Sequence, residues 1–150
     1  MALEETIKDG THKVMNIGHR LLLALSGGRI GTTIGTMPVY KVTTTGRTSG
    51  RSRTVMLTAP VQRDDTLVFV ASKGGEDRDP DWYRNLVANP RFTVEPADGG
   101  ESVTLIARTA SAGEKVELWP KIVAAYRGYD GYQTRTDRDI PVVIAEPAAP

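Results

Sequence analysis

The stretch Thr43-Thr44-Thr45-Gly46-Arg47-Thr48-Ser49-Gly50-Arg51-Ser52-Arg53 joins a β-prone run of threonines to a short loop rich in glycine, hydroxyl groups and arginine. Such a loop offers backbone N–H groups and guanidinium groups to an anion, for example a phosphate or a carboxylate. It is not a P-loop, because the glycine spacing is shorter and the Gly-Lys-Ser/Thr ending is missing. The alternative is an ordinary solvated β-turn with a charged rim.

The charge distribution favours an anionic partner for the first third of the chain. No Asp or Glu occurs from Gly10 to Arg63, and the net charge of the whole chain is only +1. The eight cations of this stretch leave −7 for the remainder, an asymmetry that indicates a phosphorylated cofactor, nucleic acid or an anionic membrane surface. Nucleic acid is disfavoured, because the overall pI is mild and no stacking aromatics are interleaved with the basic residues. The eight cations are Lys13, Arg20, Arg29, Lys41, Arg47, Arg51, Arg53 and Arg63.

Length and composition predict one domain in a cytoplasmic protein. With 150 residues the chain can form a sizeable core, and with no cysteine it has neither disulfides nor thiolate chemistry. His12 and His19 are the two imidazoles, and no metal site is expected from them. The start is acidic where a secretory signal would be basic, and the longest apolar run, Leu21 to Leu25, is too short to span a bilayer.

The N-terminal half predicts a helix followed by three strands. Residues 11–25 have the pattern of a basic amphipathic helix that ends at Gly27-Gly28, and this helix either lies on the inner face of an anionic membrane or packs on its own domain. Residues 29–37 are expected to form a loop. The strands then predicted are Val39–Thr45, Arg53–Gln62 and Thr66–Ser72, with a turn at Asp64-Asp65.

The C-terminal half predicts two helices and three further strands. Asp79-Pro80-Asp81 indicates a helix Pro80–Ala88 with Asp79 as N-cap, and Ser111 with Glu114 forms a capping box for a second helix reaching about Tyr126, with a kink or early break at Pro120. Gly128 and Gly131 favour a loop for the segment that follows. The strands expected are Phe92–Glu95, Ser102–Thr109 and Ile140–Glu146, with the tail 147–150 frayed.

About six antiparallel strands and three helices therefore define a mainly β, α+β fold. A βαβαβ rhythm is missing, so a doubly wound sheet is disfavoured. A small β-barrel with helices covering its ends fits the pattern.

Three further segments combine polar groups with glycine or aromatic residues. Val70-Ala71-Ser72-Lys73-Gly74-Gly75 ends a strand, Pro80-Asp81-Trp82-Tyr83-Arg84-Asn85-Leu86 starts a helix, and Tyr126, Tyr129 and Tyr132 are spaced by three. Taken singly, each is explained as a turn, a core helix or a helix face.

Together with the Arg-rich loop, these segments closely resemble the deazaflavin-dependent nitroreductase family, the small actinobacterial split-barrel oxidoreductases that use reduced coenzyme F420. The resemblance covers roughly Gly27 to Pro147 and includes Asn89-Pro90, Thr136-Asp137-Arg138 and Ile140-Pro141-Val142. It implies a split β-barrel like that of the FMN-binding pyridoxamine-phosphate oxidases. It also implies an N-terminal amphipathic helix segment over 1–26, a deazaflavin-binding domain over 27–147 and a tail over 148–150.

The resemblance implies a role for each matching residue. The loop would hold the phosphate and the acidic tail of the cofactor, two segments would wall the deazaflavin ring, and the start of the second helix would lie near it. Ser72 and Tyr129 are the candidate catalytic residues, as hydrogen-bond donors to a developing oxyanion; Tyr126, Tyr129 and Tyr132 would shape the substrate pocket. The cofactor-binding residues implied are Arg47, Thr48, Ser49, Arg53, Thr54, Val55, Met56, Leu57, Thr58, Val70, Ala71, Ser72, Lys73, Asp81, Trp82, Tyr83, Arg84, Asn85 and Tyr129.

Two positions depart from the family pattern. Thr48 stands where the family usually has lysine, which removes a cation that Arg51 could replace. A tyrosine that many relatives carry is absent near Thr58 and Ala59, so a wider pocket is expected.

The function expected from this resemblance is hydride transfer from reduced F420 to quinones, nitroaromatics or activated enones. The cofactor supplies the chemistry and the protein supplies orientation and electrostatics. Two alternatives remain open at this stage. One is a non-catalytic deazaflavin or flavin carrier, and the other is an FMN-dependent oxidase on the same barrel.

Overall fold

The computed structural model describes residues 33–34 and 37–148. The predicted helix over 11–25, its glycine stop and both histidines lie outside the described residues. The eight described strands are β1 (Thr33–Ile34), β2 (Met37–Thr45), β3 (Ser52–Thr58), β4 (Val61–Arg63), β5 (Thr66–Val70), β6 (Arg91–Pro96), β7 (Val103–Thr109) and β8 (Val142–Pro147). The helices are α1 (Asp81–Ala88), α2 (Ala112–Ala125) and α3 (Gly128–Thr134), with a 3₁₀ turn at Lys73–Gly75.

All strand pairs are antiparallel, and the sheet order is β1-β2-β6-β7-β8-β5-β4, with β3 paired to the other side of β2. β3 and β4 thus lie at opposite edges of the sheet, although only Ala59 and Pro60 separate them in the chain. This short connection brings the two edges together and curls the sheet. The predicted split β-barrel is confirmed.

The predicted single strand Arg53–Gln62 is wrong, because it is divided into β3 and β4 at Pro60. Proline has no N–H to donate to a strand ladder, and the last bond to β2 comes from the Ala59 N–H to the Pro38 carbonyl at 3.1 Å. The strand count therefore rises from six to eight, with the short β1 lying inside the predicted loop 29–37.

Alternation along the strands divides the apolar residues between two cores. Leu67 and Phe69 face an inner cluster enclosed by the curled sheet and covered at one end by Leu86 of α1. Val68 and Val70 face an outer cluster that α2 and α3 cover. β5 is buried on both faces for this reason, which explains its uninterrupted apolar sequence.

Three details of the helices differ from expectation. Pro80, not Asp79, is the N-cap of α1, and the Asp79 carboxylate instead accepts a hydrogen bond from Arg138. The helix α2 has the predicted capping box, but it continues through Pro120 to Ala125 without the early break.

The third difference is that the segment Gly128–Thr134 is helical, whereas its glycines predict a loop. Burial of Tyr129 outweighs the glycine penalty of about 1 kcal/mol per residue. A Cβ atom at Gly128 would lie 2.4 Å from the Tyr126 ring, so a larger residue there would displace that exposed ring.

Candidate functional site

The loop between β2 and β3, residues 46–51, is held by its own hydrogen bonds. The Gly46 N–H donates to the Arg51 carbonyl at 2.8 Å, and the Gly50 N–H donates to the Gly46 carbonyl at 2.9 Å. The Arg51 N–H donates to Ser49 Oγ at 3.2 Å. A Cβ atom at position 46 would approach Ser49 Oγ to 2.7 Å, so a larger residue there would require the exposed Ser49 side chain to move. These bonds give the β2–β3 loop a defined shape.

Asn85 of α1 holds the loop in place through hydrogen bonds. The backbone N–H and Nη1 of Arg47 both donate to Asn85 Oδ1, at 3.1 and 2.9 Å, and Nη2 contacts Asp81 Oδ1 at 3.3 Å. Asn85 Nδ2 donates to Thr44 Oγ1 at 3.3 Å. The side chain of Asn85 is 4% exposed and that of Thr44 is 2% exposed. Asp81 and Asn85 thus both bind Arg47, and this brings three predicted cofactor-binding residues together in a role that supports the loop.

The remaining cations of the loop face solvent. Arg51 and Arg53 are exposed, as are Thr48 and Ser49. Within the described part of the chain, neither guanidinium has an ion pair or a hydrogen-bond acceptor. Two permanent cations beside exposed hydroxyl groups form a donor set that fits a phosphate or carboxylate.

The five residues Thr54 to Thr58 point to two faces of β3. Val55 and Leu57 pack against the inner cluster, so their side chains belong to the core. Thr54, Met56 and Thr58 point to the opposite face by strand alternation. There the Thr54 hydroxyl lies 3.4 Å from the Thr43 hydroxyl. The cofactor-wall role of all five residues stays a prediction, and the side chains on the face away from the core are those of Thr54, Met56 and Thr58.

Three tyrosines meet at the far end of β3. The hydroxyl groups of Thr58 and Tyr129 are 3.0 Å apart, and Tyr129 is 5% exposed. The ring centroid of Tyr129 lies 5.4 Å from that of Tyr126 and 6.1 Å from that of Tyr132, both with nearly perpendicular planes. The three tyrosines spaced by three in the sequence therefore form one aromatic cluster.

The phenol groups of this cluster hold their protons strongly. Burial raises the pKa of Tyr129, against the opposing effect of the Thr58 hydrogen bond. The hydroxyl groups of Tyr126 and Tyr132 lie 3.5 Å apart, and this contact, with burial, raises the pKa of Tyr132 to about 12. Both phenols are therefore neutral hydrogen-bond donors at neutral pH.

The segment after β5 packs beside the tyrosine cluster. Ser72 is half-buried, and Lys73 Nζ pairs with Glu76 Oε2 at 3.3 Å, with 7% and 14% of the two side chains exposed. At Gly75 the group that approaches the backbone closely is the Tyr132 carbonyl oxygen of the protein, which would lie 2.7 Å from a Cβ atom at this position. Val70 packs in the outer cluster, and Ala71 is fully buried.

The aromatic residues of α1 contribute to the core. Trp82 and Tyr83 pack on the inner cluster with their rings perpendicular and 6.3 Å apart, and the Tyr83 hydroxyl lies 2.7 Å from Thr109 Oγ1. Arg84 faces solvent. The core interpretation of Trp82 therefore explains its packing, and the cofactor role of these three residues stays a prediction.

Lys115 and Arg138 are half-buried cations that were not among the predicted site residues. Lys115 of α2 donates to Gln133 Oε1, Asp139 Oδ1 and the Ile140 carbonyl, at 2.9, 2.5 and 2.8 Å. Arg138 donates to the segment that contains Ser72. The Thr136-Asp137-Arg138 motif was the available signal for Arg138, but a motif alone does not reveal which carbonyl groups an arginine reaches.

The arrangement suits an elongated ligand with one anionic end. β3 has seven residues, so about 20 Å separates the Arg-rich loop at its start from the Thr58–Tyr129 pair at its end. Among the described residues, no helix is long and apolar enough to cross a bilayer. The same part of the chain contains no group of three or more His, Asp or Glu side chains placed to hold a metal ion.

Comparisons with known proteins show which proteins this chain is similar to. A family model described as F420H(2)-dependent quinone reductase matches residues 19–147. The F420H(2)-dependent quinone reductase Rv1261c of Mycobacterium tuberculosis is 38% identical over 130 residues, which cover 84% of this chain and 85% of that protein. A solved structure of an F420-H2 dependent reductase, FDR-A, is 42% identical with a TM-score of 0.64 and covers 73% of this chain and 94% of its own. A second solved structure, described as a domain-swapped dimer, is 34% identical with a TM-score of 0.65 and covers 95% and 98%.

Proposed function

The chain belongs to the F420H(2)-dependent quinone reductase family, and we propose that it transfers a hydride from reduced F420 to a quinone. Members of this family are oxidoreductases, and F420 is their cofactor. The observation that carries the proposal is the placement of two exposed guanidinium groups and the Thr58–Tyr129 pair at opposite ends of β3.

The residues present fit the cofactor. Arg51 and Arg53 would hold the anionic tail, with the exposed hydroxyl groups of Thr48 and Ser49 as further donors. Arg51 would supply the positive charge that is missing at Thr48, where the family usually has lysine. The outward face of β3, with Thr54 and Met56, leads from this loop toward Thr58 and would receive the ring.

The chemistry divides between cofactor and protein. Reduced F420, when bound, supplies the hydride. The acceptor oxygen that gains negative charge then needs a hydrogen-bond donor and a proton. The Tyr129 hydroxyl, which like any phenol is protonated at neutral pH, donates this hydrogen bond, and water completes the proton transfer. The Ser72 hydroxyl is the second donor on our proposal.

The tyrosine cluster favours a flat acceptor. Tyr126 is 41% exposed at the edge of the cluster, so its ring offers an aromatic contact to a quinone without further rearrangement. Nitroaromatics and activated enones are also flat and electrophilic, and we include them as additional acceptors. Replacing Tyr126, Tyr129 and Tyr132 by alanine in turn should change the order of preference among these acceptors.

The basic first third of the chain supports contact with an anionic membrane. Residues 10–63 contain eight cations and no acid, and residues 11–25 have an amphipathic pattern. We propose a peripheral association with the inner face of the membrane, which would bring the enzyme close to membrane quinones.

Two measurements test the proposed reaction. Ultrafiltration of the protein with F420 or with FMN shows which cofactor is retained, and anaerobic mixing with F420H2 and menadione shows whether the cofactor is reoxidised. We expect F420 to bind at micromolar concentration or below (about −8 kcal/mol), with turnover of menadione and none with NADPH as donor. Tight FMN binding without F420 binding would establish the flavin oxidase instead. Retention of F420 without turnover of any acceptor would establish a carrier.

A further inference from the structure

Arg138 lies between α3 and β8, outside the residues to which the preceding proposal gives a role, and its guanidinium is largely enclosed. Its side chain is 14% exposed. Nη2 donates to the carbonyl oxygens of Ser72 and Ala71, at 2.9 and 3.2 Å. Nε donates to the Glu76 carbonyl at 2.7 Å, and Nη1 donates to Asp79 Oδ1 at 2.9 Å. One planar group therefore contacts four points of the segment Ala71–Asp79.

This segment joins three parts of the candidate site. It starts at the end of β5, contains Ser72, and ends next to Pro80, the N-cap of α1. A parallel contact comes from Thr136, whose hydroxyl donates to Asp77 Oδ1 at 2.8 Å while accepting from the Arg138 N–H at 3.2 Å. Gly75 packs directly on the backbone of Tyr132. The segment is thus held on one side by Arg138 and on the other by the tyrosine helix α3.

The backbone of this segment needs external support. Lys73 has φ +45° and Gly74 has φ +66°, and the left-handed region is unfavourable for a lysine. The 3₁₀ turn supplies only two backbone bonds, from Gly75 N–H to the Ser72 carbonyl and from Glu76 N–H to the Lys73 carbonyl, at 2.8 and 3.2 Å. Arg138 binds the Ser72 carbonyl together with the Gly75 N–H, so it contacts the peptide group next to the Cα atom that carries the Ser72 side chain.

We propose that Arg138 is a positioning residue for the acceptor end of the site, which acts by fixing the backbone of Ser72. This inference rests on the proposed function, since Ser72 is the hydrogen-bond donor it would orient. Lysine cannot substitute for Arg138, because one ammonium group has three donors and lacks the planar fork that reaches four separate oxygens.

The proposal is tested by a double-mutant cycle of Ser72→Ala, Arg138→Lys and the combined variant. We expect each single change to lower kcat for menadione by about tenfold, and the combined variant to lose no more than the worse single variant. The Kd of F420, measured by ultrafiltration, should change much less than kcat in Arg138→Lys. Losses that multiply in the combined variant would show that Arg138 does not act through Ser72, and an unchanged kcat in Arg138→Lys would overturn the proposal outright.

Arg108 provides a matched control. It also makes several charge-assisted bonds, to Glu114 at 2.8 and 2.9 Å and to Glu146 at 3.1 Å, but these groups are exposed and none belongs to the site. Arg108→Lys should leave kcat and the KM for menadione unchanged.

Trypsin digestion of the unliganded protein separates this inference from the proposed reaction. Lys73 and Arg78 are cleavage sites inside the segment, and Lys121 and Arg127 are sites outside it. In Arg138→Lys we expect cleavage at Lys73 and Arg78 to accelerate selectively. Equal acceleration at all four sites would indicate a general loss of stability, and no acceleration would show that Arg138 does not hold the segment. If wild-type protein oxidises no F420H2, the proposed function fails while the digestion still decides what Arg138 does.

Discussion

The backbone N–H and the guanidinium of Arg47 donate to the same atom, Oδ1 of Asn85, at 3.1 and 2.9 Å. Through this shared acceptor, a buried residue of α1 fixes the direction in which the β2–β3 loop leaves the sheet. Asn85 also binds Thr44 in the strand before the loop. The arginine that the sequence suggests as an anion ligand is therefore engaged within the protein, and Arg51 and Arg53 are left facing solvent.

Replacing Asn85 by alanine should weaken both folding and cofactor binding. The change removes the amide that donates to the buried Thr44 hydroxyl and the acceptor of the Arg47 N–H, which should lower the free energy of unfolding by about 1–3 kcal/mol. F420 affinity should fall because the loop loses its fixed orientation. If Arg47 acts only through Asn85, the combined Arg47→Ala and Asn85→Ala variant binds F420 as weakly as Asn85→Ala alone. Independent, additive losses would mean that Arg47 contacts the cofactor itself.

Arg53→Ala should weaken F420 binding by about 1.5–3 kcal/mol, because the guanidinium would pair directly with a charged group of the cofactor. The loss should shrink as salt is raised, since exposed charge pairs are screened. Binding measured at low and high ionic strength checks both statements. Arg63→Ala is the matched control, an exposed arginine of the same acid-free stretch that lies on β4 at the other edge of the sheet. Equal losses in both variants would point to general electrostatic attraction.

Local patterns predicted the parts of the fold that depend on near neighbours. The capping box of Ser111 and Glu114 is present, and the apolar residues of β5 form a strand. The prediction from helix propensity was wrong for α3. The penalty of Gly128 and Gly131 can be read from the local sequence, whereas the burial of Tyr129 depends on residues that are distant in the chain. The same argument explains the division of β3 from β4 at Pro60. Proline lacks an N–H, and this interrupts a strand only where that N–H would have been hydrogen-bonded to a neighbouring strand.

The sequence predicted which residues lie together in the candidate site, but it did not predict the contacts that they make. The three tyrosines form a cluster, and the guanidinium groups of Arg51 and Arg53 face solvent. The partnership of Arg47 with Asn85 spans 38 positions, and that of Arg138 with Ser72 spans 66. No spacing rule predicts such contacts, since they follow from the placement of α1 and α3 on the curled sheet.

Thr58→Val should lower turnover without changing the shape of the barrel. The substitution removes the hydroxyl that lies 3.0 Å from the Tyr129 hydroxyl, so the phenol loses this partner and retains its contact with Met37 Sδ at 3.8 Å. Tyr129→Phe removes the donor altogether and should lower kcat by about 10²-fold. Thr109→Val is the matched control, because it removes the same kind of Tyr–Thr contact, at 2.7 Å to Tyr83, at a distant point of the sheet. Similar kcat values for the wild type and all three variants would exclude Tyr129 as the donor.

Deleting residues 1–25 should abolish binding to anionic lipid and leave F420 binding intact. The removed stretch contains the amphipathic pattern of residues 11–25 with its cations, and the domain that contains β3 remains. Co-sedimentation with vesicles containing phosphatidylglycerol, at low salt, measures the first effect, and ultrafiltration measures the second. Vesicles of neutral lipid are the control. Failure of the full-length protein to sediment with anionic vesicles would remove the membrane from the proposed function.

Tyr126→Phe should lower the pKa of Tyr132, so that this phenol loses its proton at a lower pH. The hydroxyl contact at 3.5 Å is the main cause that raises the pKa of Tyr132 to about 12, so its loss should return the pKa toward the ordinary value of 10.0. A raised pKa means that the folded protein keeps this proton after the unfolded chain has released it. Folding stability therefore falls as the pH rises from 10 toward 12, and this fall should be shallower in the variant. Ultraviolet absorbance of tyrosinate measures the titration, and alkaline unfolding curves measure the stability. Tyr83→Phe, which leaves the Tyr126–Tyr132 pair in place, should retain the late-titrating component. A Tyr132 titration unaffected by Tyr126→Phe would show that burial alone holds the proton.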